Sequence, residues 1–264
     1  MIRQVWCKTA LSASRLPGLT YSLNPYKGCS HDCVYCYAPP LLQISPEKWH
    51  NVEARVNIPQ VLRQEVKLKS PGVVGLSTVT DPYQPAEKDY EITRKCLPLL
   101  AKRGFGINIQ TKSDLVVRDK DLLSRIENVA VGITITTLDE ALSYYLEPKA
   151  PLPHHRIDAL HSLSDTGIYT YVFFGPIMPS MKIASVPEYV DEIIATGAQE
   201  IMVDTLHIKP GVMDRLHAAL PQYKLEKIKQ CLADPLYYNR IFFALRRACD
   251  GRIQVRPAFA SRVK

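Results

Sequence analysis

Residues 106–128 read GINIQTKSDLVVRDKDLLSRIEN. A short apolar run, GINIQT (106–111), gives way to a helical pattern, RDKDLLSRIEN. The first part has the length of a buried strand, and the second spaces its leucines and isoleucine along one helix face. The same pair of signals recurs. VVGLST (73–78) precedes a helix-like segment from about Lys88 to Arg103. VAVGITIT (129–136) precedes LDEALSYYL and then HRIDALHSLSDTG. IYTYVFFG (168–175) precedes VPEYVDEIIATG, and EIMVDTL (200–206) precedes GVMDRLHAAL. A first strand around YSLNPY would use IPQVLRQEVKL as its helix. Several helical patterns stop at glycine (Gly104, Gly167, Gly197), which suits a left-handed C-cap.

Strand–helix alternation at this spacing means parallel strands joined by right-handed crossovers. The expected fold is α/β. Six units form a partial (β/α)6 TIM-like barrel of parallel strands, or the same strands in an open sheet, with appended C-terminal helices. Residues 1–20 are an N-terminal extension, 21–220 the barrel, and 221–264 a basic helical segment around LEKIKQCLADPLYYNRIFFALRRAC. In either arrangement chemistry gathers at the C-terminal ends of the strands.

The chain has 264 residues, 46% hydrophobic and 22% charged, enough for one large core or two small ones. No stretch reads as a linker, and no repeat appears. The N-terminus lacks a signal-peptide apolar run, and TYVFFGPIM is too short to span a bilayer. A soluble cytoplasmic protein, with no membrane partner, is expected. In a reducing cytosol seven cysteines suggest metal binding or catalysis rather than disulfides. The net charge is +7, and residues 221–264, with ten Lys/Arg against three Asp/Glu, carry the whole surplus. That basic segment is a candidate polyanion-binding face as well as an ordinary solvated helix face.

The strongest chemical signal follows the first strand: NPYKGCSHDCVYCYAPP, residues 24–40. Cys29, Cys33 and Cys36 form a C-x3-C-x2-C loop at the catalytic end. A structural zinc site wants four ligands, so zinc needs His31 or a distant cysteine as the fourth. A four-iron four-sulfur cluster accepts three thiolates and leaves one iron open, as a catalytic centre requires.

With Tyr35 before the third cysteine, the loop resembles the signature of the radical S-adenosylmethionine (radical SAM) enzymes. From about Asn24 to Ile177 the chain looks like that superfamily's spore photoproduct lyase-like branch. TVTDP resembles its Ser-Asp-Pro turn, with Thr80 in the serine place. IQTKSDLVVRD resembles the segment whose lysine holds the SAM carboxylate, here Lys112. GITIT puts Thr134 where the family has a SAM-contacting serine. LEPKA with a later arginine resembles a Phe-Glu-Pro stretch, here Glu147, Pro148 and Arg156, and GPIMP an Ala-Pro-Ile segment. The resemblance implies a 4Fe-4S cluster on Cys29, Cys33 and Cys36, with Tyr35 near the adenine of SAM. It implies an oxygen-sensitive enzyme in which a one-electron reductant, of flavodoxin or ferredoxin type, drives SAM cleavage. A 5′-deoxyadenosyl radical then takes a hydrogen from the substrate, the cofactor carrying the hard chemistry. An ammonium is a suitable partner for the SAM carboxylate, and strand-end hydroxyls for its other polar groups.

One position departs from the branch. Spore photoproduct lyases carry a hydrogen-donating cysteine two places before that serine; here Thr78 stands there, and a hydroxyl is a poor hydrogen-atom donor. The resemblance is therefore one of fold and cofactor chemistry, with the substrate, possibly nucleic acid through residues 221–264, left open. It names no substrate-side catalytic residue. Asp204, His207, Tyr83 and Gln84 are the candidates by position. His154 and His155 suit a surface loop. Cys96, on an apolar helix face with Ile92 and Leu100, suits the core. Cys7, Cys231 and Cys249 show no C-x2-C pairing. His31 becomes a bystander. The rival to this reading is a non-catalytic zinc or iron–sulfur protein that binds nucleic acid.

Overall fold

Eleven strands appear in the computed structural model, which describes residues 2–259. They are β1 (Arg3–Val5), β2 (Ser12–Ala13), β3 (Tyr21–Leu23), β4 (Tyr26–Lys27), β5 (Glu53–Arg55), β6 (Val73–Leu76), β7 (Gly106–Thr111), β8 (Val129–Thr134), β9 (Tyr169–Ile177), β10 (Glu200–Thr205) and β11 (Gln254–Pro257). The main sheet has eight strands in the order β11-β10-β9-β8-β7-β6-β3-β2. Its pairs are all parallel except β2 with β3. Both ends of the order are free, so the sheet is a partial barrel and does not close. A small sheet, β1-β5-β4, lies beside the cysteine loop.

The α/β architecture with a parallel sheet agrees with the sequence. Three details differ, each for a local reason. The helix expected over Lys88–Arg103 breaks into Ala86–Tyr90 and Ile92–Ala101, because Glu91 turns left-handed at φ 50°. The Glu87 carboxylate caps the second piece by accepting from the Thr93 and Arg94 amides. RDKDLLSRIEN makes a 3-10 turn (Asp114–Asp119) and a single α turn (Lys120–Leu123) rather than a full helix. The basic segment forms two helices, Gln222–Ala233 and Tyr237–Cys249, and then returns a seventh parallel strand, β11, against β10. Its sequence, QVRP, is too short and polar to signal a strand, and its proline is tolerated because β11 is an edge. Residues 260–264 of that segment lie outside the described residues.

Strand side chains alternate between two faces. In β7, Ile107, Ile109 and Thr111 are buried while Asn108 and Gln110 are only half-buried. The outer face, with Val74, Leu76, Val131, Ile133, Val172, Phe174 and Ile201, packs the helices in one continuous core. The helix Tyr237–Cys249 adds Ile241 and Leu245 to that core. Each such side chain contributes about 1.5–3 kcal/mol on burial. The pairing registers put Ser22, Gly75, Asn108, Gln110, Gly132, Tyr171, Phe173 and Met202 together on the inner, concave face. Its floor is set by Gly132. A Cβ there would lie 2.1 Å from the Tyr171 ring, so only glycine lets Tyr171 cross the barrel and donate to Asn108 Oδ1 at 3.0 Å.

Candidate active site

The cysteine loop leaves β4 through Gly28, at φ +80°. A Cβ there would come within 2.6 Å of the Trp49 carbonyl, which itself accepts from the Cys29 amide at 3.1 Å. Glycine at 28 therefore seats the first cysteine against the small sheet. The rest of the loop is held from four directions. Gln84, fully buried, donates to the Gly28 carbonyl at 3.2 Å and accepts from the Ser30 amide at 3.1 Å. Thr80 donates to the same Gly28 carbonyl at 2.5 Å. The Val34 amide donates to the Leu146 carbonyl at 2.9 Å. Arg215, on the helix Val212–Ala219, donates to the carbonyls of Val34 (2.9 Å) and Cys36 (2.7 Å). Behind the loop, Leu142, Leu146, Met178, Leu206, Val212 and Leu216 pack with Tyr35 as a second apolar cluster.

Asp81 joins the loop to the strand ends. Its carboxylate accepts from Thr111 Oγ1 (2.6 Å) and from the amides of Tyr83 and Lys112 (both 2.9 Å), and faces His31 Nδ1 at 3.4 Å. Burial pushes this carboxyl up, but His31 and these hydrogen bonds outweigh it and hold it at about 2. His31, buried between the cysteines, is therefore a strut of the loop and not a bystander. Tyr83 and Gln84, considered above for the substrate side, are fully buried supports instead; Tyr83 donates to Asp119 at 3.1 Å.

A second group lies at the ends of β7 and β8. Arg156 and Glu147 form a fully buried ion pair at 2.5 Å. Arg156 also donates to the carbonyls of Pro151 (2.8 Å) and Thr134 (3.0 Å). Glu147 accepts from the Tyr35 hydroxyl and from Thr136 Oγ1 at 3.3 Å. The Lys112 ammonium stands 5.6 Å from the centre of the Tyr35 ring. Burial and the Arg156 charge pull the Lys112 pKa down, yet Cys33, once it is a thiolate, and the Glu147 and Asp81 carboxylates outweigh them and raise it above the usual lysine value. Burial holds the Glu147 carboxyl up less than Arg156, Lys112 and Tyr35 hold it down.

All seven cysteines are free thiols. Burial pushes Cys29 up to about 12, Cys33 well above the usual thiol range, and Cys36 upward against the Lys112 and Arg215 charges. Three half-buried thiols raised in this way bind a metal by giving up their protons to it. Among the described residues no three Cys, His, Asp or Glu side chains converge as they would around a single ion. Three free thiols on one short loop are a donor set of the kind that would hold a cluster with one iron left open.

Thr78 Oγ1 lies 3.4 Å from Ser22 Oγ on the inner face, and its carbonyl accepts from Tyr37 at 3.0 Å. Asp204 and His207 form a pair at 3.1 Å at the end of β10. The His154 and His155 rings meet at 3.9 Å, tilted by 44°, and His154 pairs with Glu140 on the surface. Cys96 and Cys249 are buried; Cys7 and Cys231 are half-buried. Sequence reasoning missed Arg215, since nothing local marks a helix arginine as a partner for carbonyls about 180 residues away.

The fold, the three-cysteine loop and the strand-end lysine converge with a direct match: residues 23–193 fit the model of the Radical SAM superfamily. The chain belongs to the radical SAM superfamily. It is therefore an enzyme of that superfamily, whose cofactors are a 4Fe-4S cluster and SAM. An uncharacterised protein of Methanocaldococcus jannaschii is 36% identical over 187 residues, covering 68% of this chain and 69% of its own length. An uncharacterised protein of Mycobacterium tuberculosis (strain H37Rv) is 31% identical over 224 residues, covering 78% of this chain and 65% of its own. The chain thus spans about two thirds of the length of these relatives. Among solved structures, a spore photoproduct lyase mutant superposes with TM-score 0.76 at 13% identity, over 97% of this chain and 81% of that one. Streptococcus suis SuiB bound to S-adenosylmethionine gives TM-score 0.55 at 13% identity, over 89% and 49%. These two likenesses are of fold. No helix among the described residues is long and apolar enough to cross a membrane.

Proposed function

We propose that this radical SAM enzyme holds its cluster through Cys29, Cys33 and Cys36 and removes a hydrogen atom from a substrate seated on the inner face of the barrel. The carrying observation is the Lys112 ammonium at the end of β7, 5.6 Å from the centre of the Tyr35 ring and beside the cysteine loop. When bound, the cluster and SAM supply reductive cleavage to 5′-deoxyadenosyl radical. In this reading Lys112 takes the SAM carboxylate, Thr134 its neighbouring polar groups, and Tyr35 the face of the nucleoside. Thr80 and Arg156 serve chiefly from behind, Thr80 on the Gly28 carbonyl and Arg156 through Glu147. The small sheet, Gln84 and Arg215 fix the loop, and the apolar cluster behind Tyr35 keeps water from that side. An electron enters from a reductant of flavodoxin or ferredoxin type, in an oxygen-poor cytoplasmic setting. Thr78 at the inner face argues against spore photoproduct as substrate.

Anaerobic reconstitution with iron and sulfide, followed by dithionite and SAM, should release 5′-deoxyadenosine. Absence of any SAM cleavage product from fully loaded protein would end the reading in favour of a non-catalytic metalloprotein.

One observation favours nucleic acid as the substrate class. Phe243 is 70% exposed on the helix Tyr237–Cys249, one turn before Arg246 and Arg247. An exposed ring beside two arginines suits base stacking with phosphate contact. Much of the remaining basic surplus is spent internally, since Arg240, Arg252 and Arg256 pair with Asp234, Asp191 and Glu200. Binding of single-stranded DNA or RNA should weaken steeply with salt and depend on Phe243 and Arg247. If neither nucleic acid binds or stimulates SAM cleavage, a peptide or small molecule takes its place.

A further inference from the structure

Two buried polar atoms lie without partners at the catalytic end of the first two barrel strands: Asn24 Oδ1 and Ser77 Oγ. The residues stand side by side. Leu23 pairs with Leu76 in register, and the Ser77 amide donates to the Leu23 carbonyl at 2.8 Å. Each is the first residue beyond its paired strand. Ser77 is only 7% exposed and sits at φ +61°, a left-handed conformation that a serine adopts at a cost. That turn folds Thr78 back over the inner face, onto Ser22 and within 3.3 Å of where a Cβ on Gly75 would lie. Arg55 fixes the main chain here by donating to the Asn24 carbonyl at 3.3 Å. Across the concave face, at β9 and β10, the half-buried Phe173 and Met202 present apolar surface.

A buried polar atom left unpaired costs about as much as a lost hydrogen bond. Two of them, together with a strained serine, are a sparse arrangement for a segment serving packing alone. An orphan carbonyl-type oxygen accepts, and a hydroxyl both donates and accepts. The side chains grouped here, Ser22, Asn24, Ser77 and Thr78, carry no charge. We infer that Asn24 and Ser77 form a substrate subsite that recognises a neutral amide, an N–H donor beside a C=O acceptor. These four side chains offer a carboxylate or phosphate no cation, and Arg55 beside them is engaged on the Asn24 carbonyl. The inference rests on the proposed substrate position on the inner face and adds the chemistry of the group bound there.

The test uses reconstituted protein without SAM and three probes: N-methylacetamide, acetate and inorganic phosphate, read by saturation-transfer NMR. N-methylacetamide should bind, and its affinity should fall about tenfold in Ser77→Gly and in Asn24→Leu, one hydrogen bond's worth each. Glycine accepts φ +61° without strain, so Ser77→Gly should melt higher than the parent while binding the amide more weakly. A residue kept for packing would not separate those two readouts. Acetate or phosphate binding as well as the amide, amide binding unchanged in both variants, or a lower melting temperature in Ser77→Gly would overturn the inference. Failure of the parent protein to cleave SAM counts against the proposed function instead, because amide binding is measured apart from SAM.

Discussion

Arg215 donates to the carbonyl oxygen of Cys36 at 2.7 Å, tying a helix that follows the sixth barrel strand to the loop that follows the first. The same guanidinium holds Val34 at 2.9 Å, so one side chain spans the loop between its second and third cysteines. A fork of fixed donors does this where a lysine could not. Arg215→Ala should lower stability by about 2 kcal/mol, for two charge-assisted bonds on a half-buried group. It should also lower the cluster's reduction potential, because a cation near the third cysteine is lost. Redox titration followed by electron paramagnetic resonance checks this. An unchanged potential at full iron loading would leave Arg215 with packing alone.

Gln84 offers a second test of the loop's support. Its amide meets Gly28, Thr80 and Ser30 with both ends engaged, and none of it reaches solvent. Gln84→Leu removes the donor and acceptor together and leaves the Gly28 carbonyl with Thr80 only. A loss of about 2–3 kcal/mol is expected by thermal or denaturant unfolding, with less iron bound per chain after reconstitution. Normal loading at parental stability would show that the loop needs no clamp from this side.

The parallel strands and the cysteine loop were legible because each is a local signal: apolar runs at strand length, and thiols at fixed spacing. Lys112, Thr80 and Thr134 could be placed at strand ends for the same reason. What the sequence could not show depends on contacts distant along the chain. His31, Gln84 and Tyr83 read as free polar residues, and only the folded Asp81 turn makes them struts. The Arg156–Glu147–Tyr35 chain joins residues up to 121 positions apart in sequence. β11 was invisible because an edge strand of four residues can be polar and contain proline. The break at Glu91 was hidden because a left-handed glutamate has no sequence mark.

Glu147 should make stability depend on pH in the acid range. Its folded carboxyl lies below the ordinary value of 4.5, since Arg156, Lys112 and Tyr35 overcome the effect of burial. A carboxylate lowered in the folded state adds stability above its unfolded value. That contribution fades as pH falls from there through the folded value. The parent should therefore lose melting temperature between about pH 5 and pH 3 more steeply than Glu147→Gln. At neutral pH the same substitution leaves Arg156 buried without its counter-charge, at a cost of about 3–5 kcal/mol. Equal acid slopes for the two proteins would mean that Glu147 does not titrate as the buried pair requires.

Lys112 is the residue on which the cofactor assignment turns. Its ammonium belongs to a half-buried side chain and stands 5.6 Å from the centre of the Tyr35 ring, next to the cysteine loop. Lys112→Met keeps the stem that lies along Tyr35 and removes only the charge. If the ammonium meets the SAM carboxylate, the loss of one charge-assisted hydrogen bond weakens SAM binding about 10- to 100-fold. Iron loading should change little, because Cys29, Cys33 and Cys36 are untouched and methionine packs well beside an aromatic ring. Equilibrium dialysis with SAM separates this from Cys33→Ala, which should lose iron and SAM cleavage together. A Lys112→Met protein with parental SAM affinity would move the carboxylate contact elsewhere. Arg156 could not take it over while both its Thr134 and Pro151 bonds and its Glu147 pair remain in place.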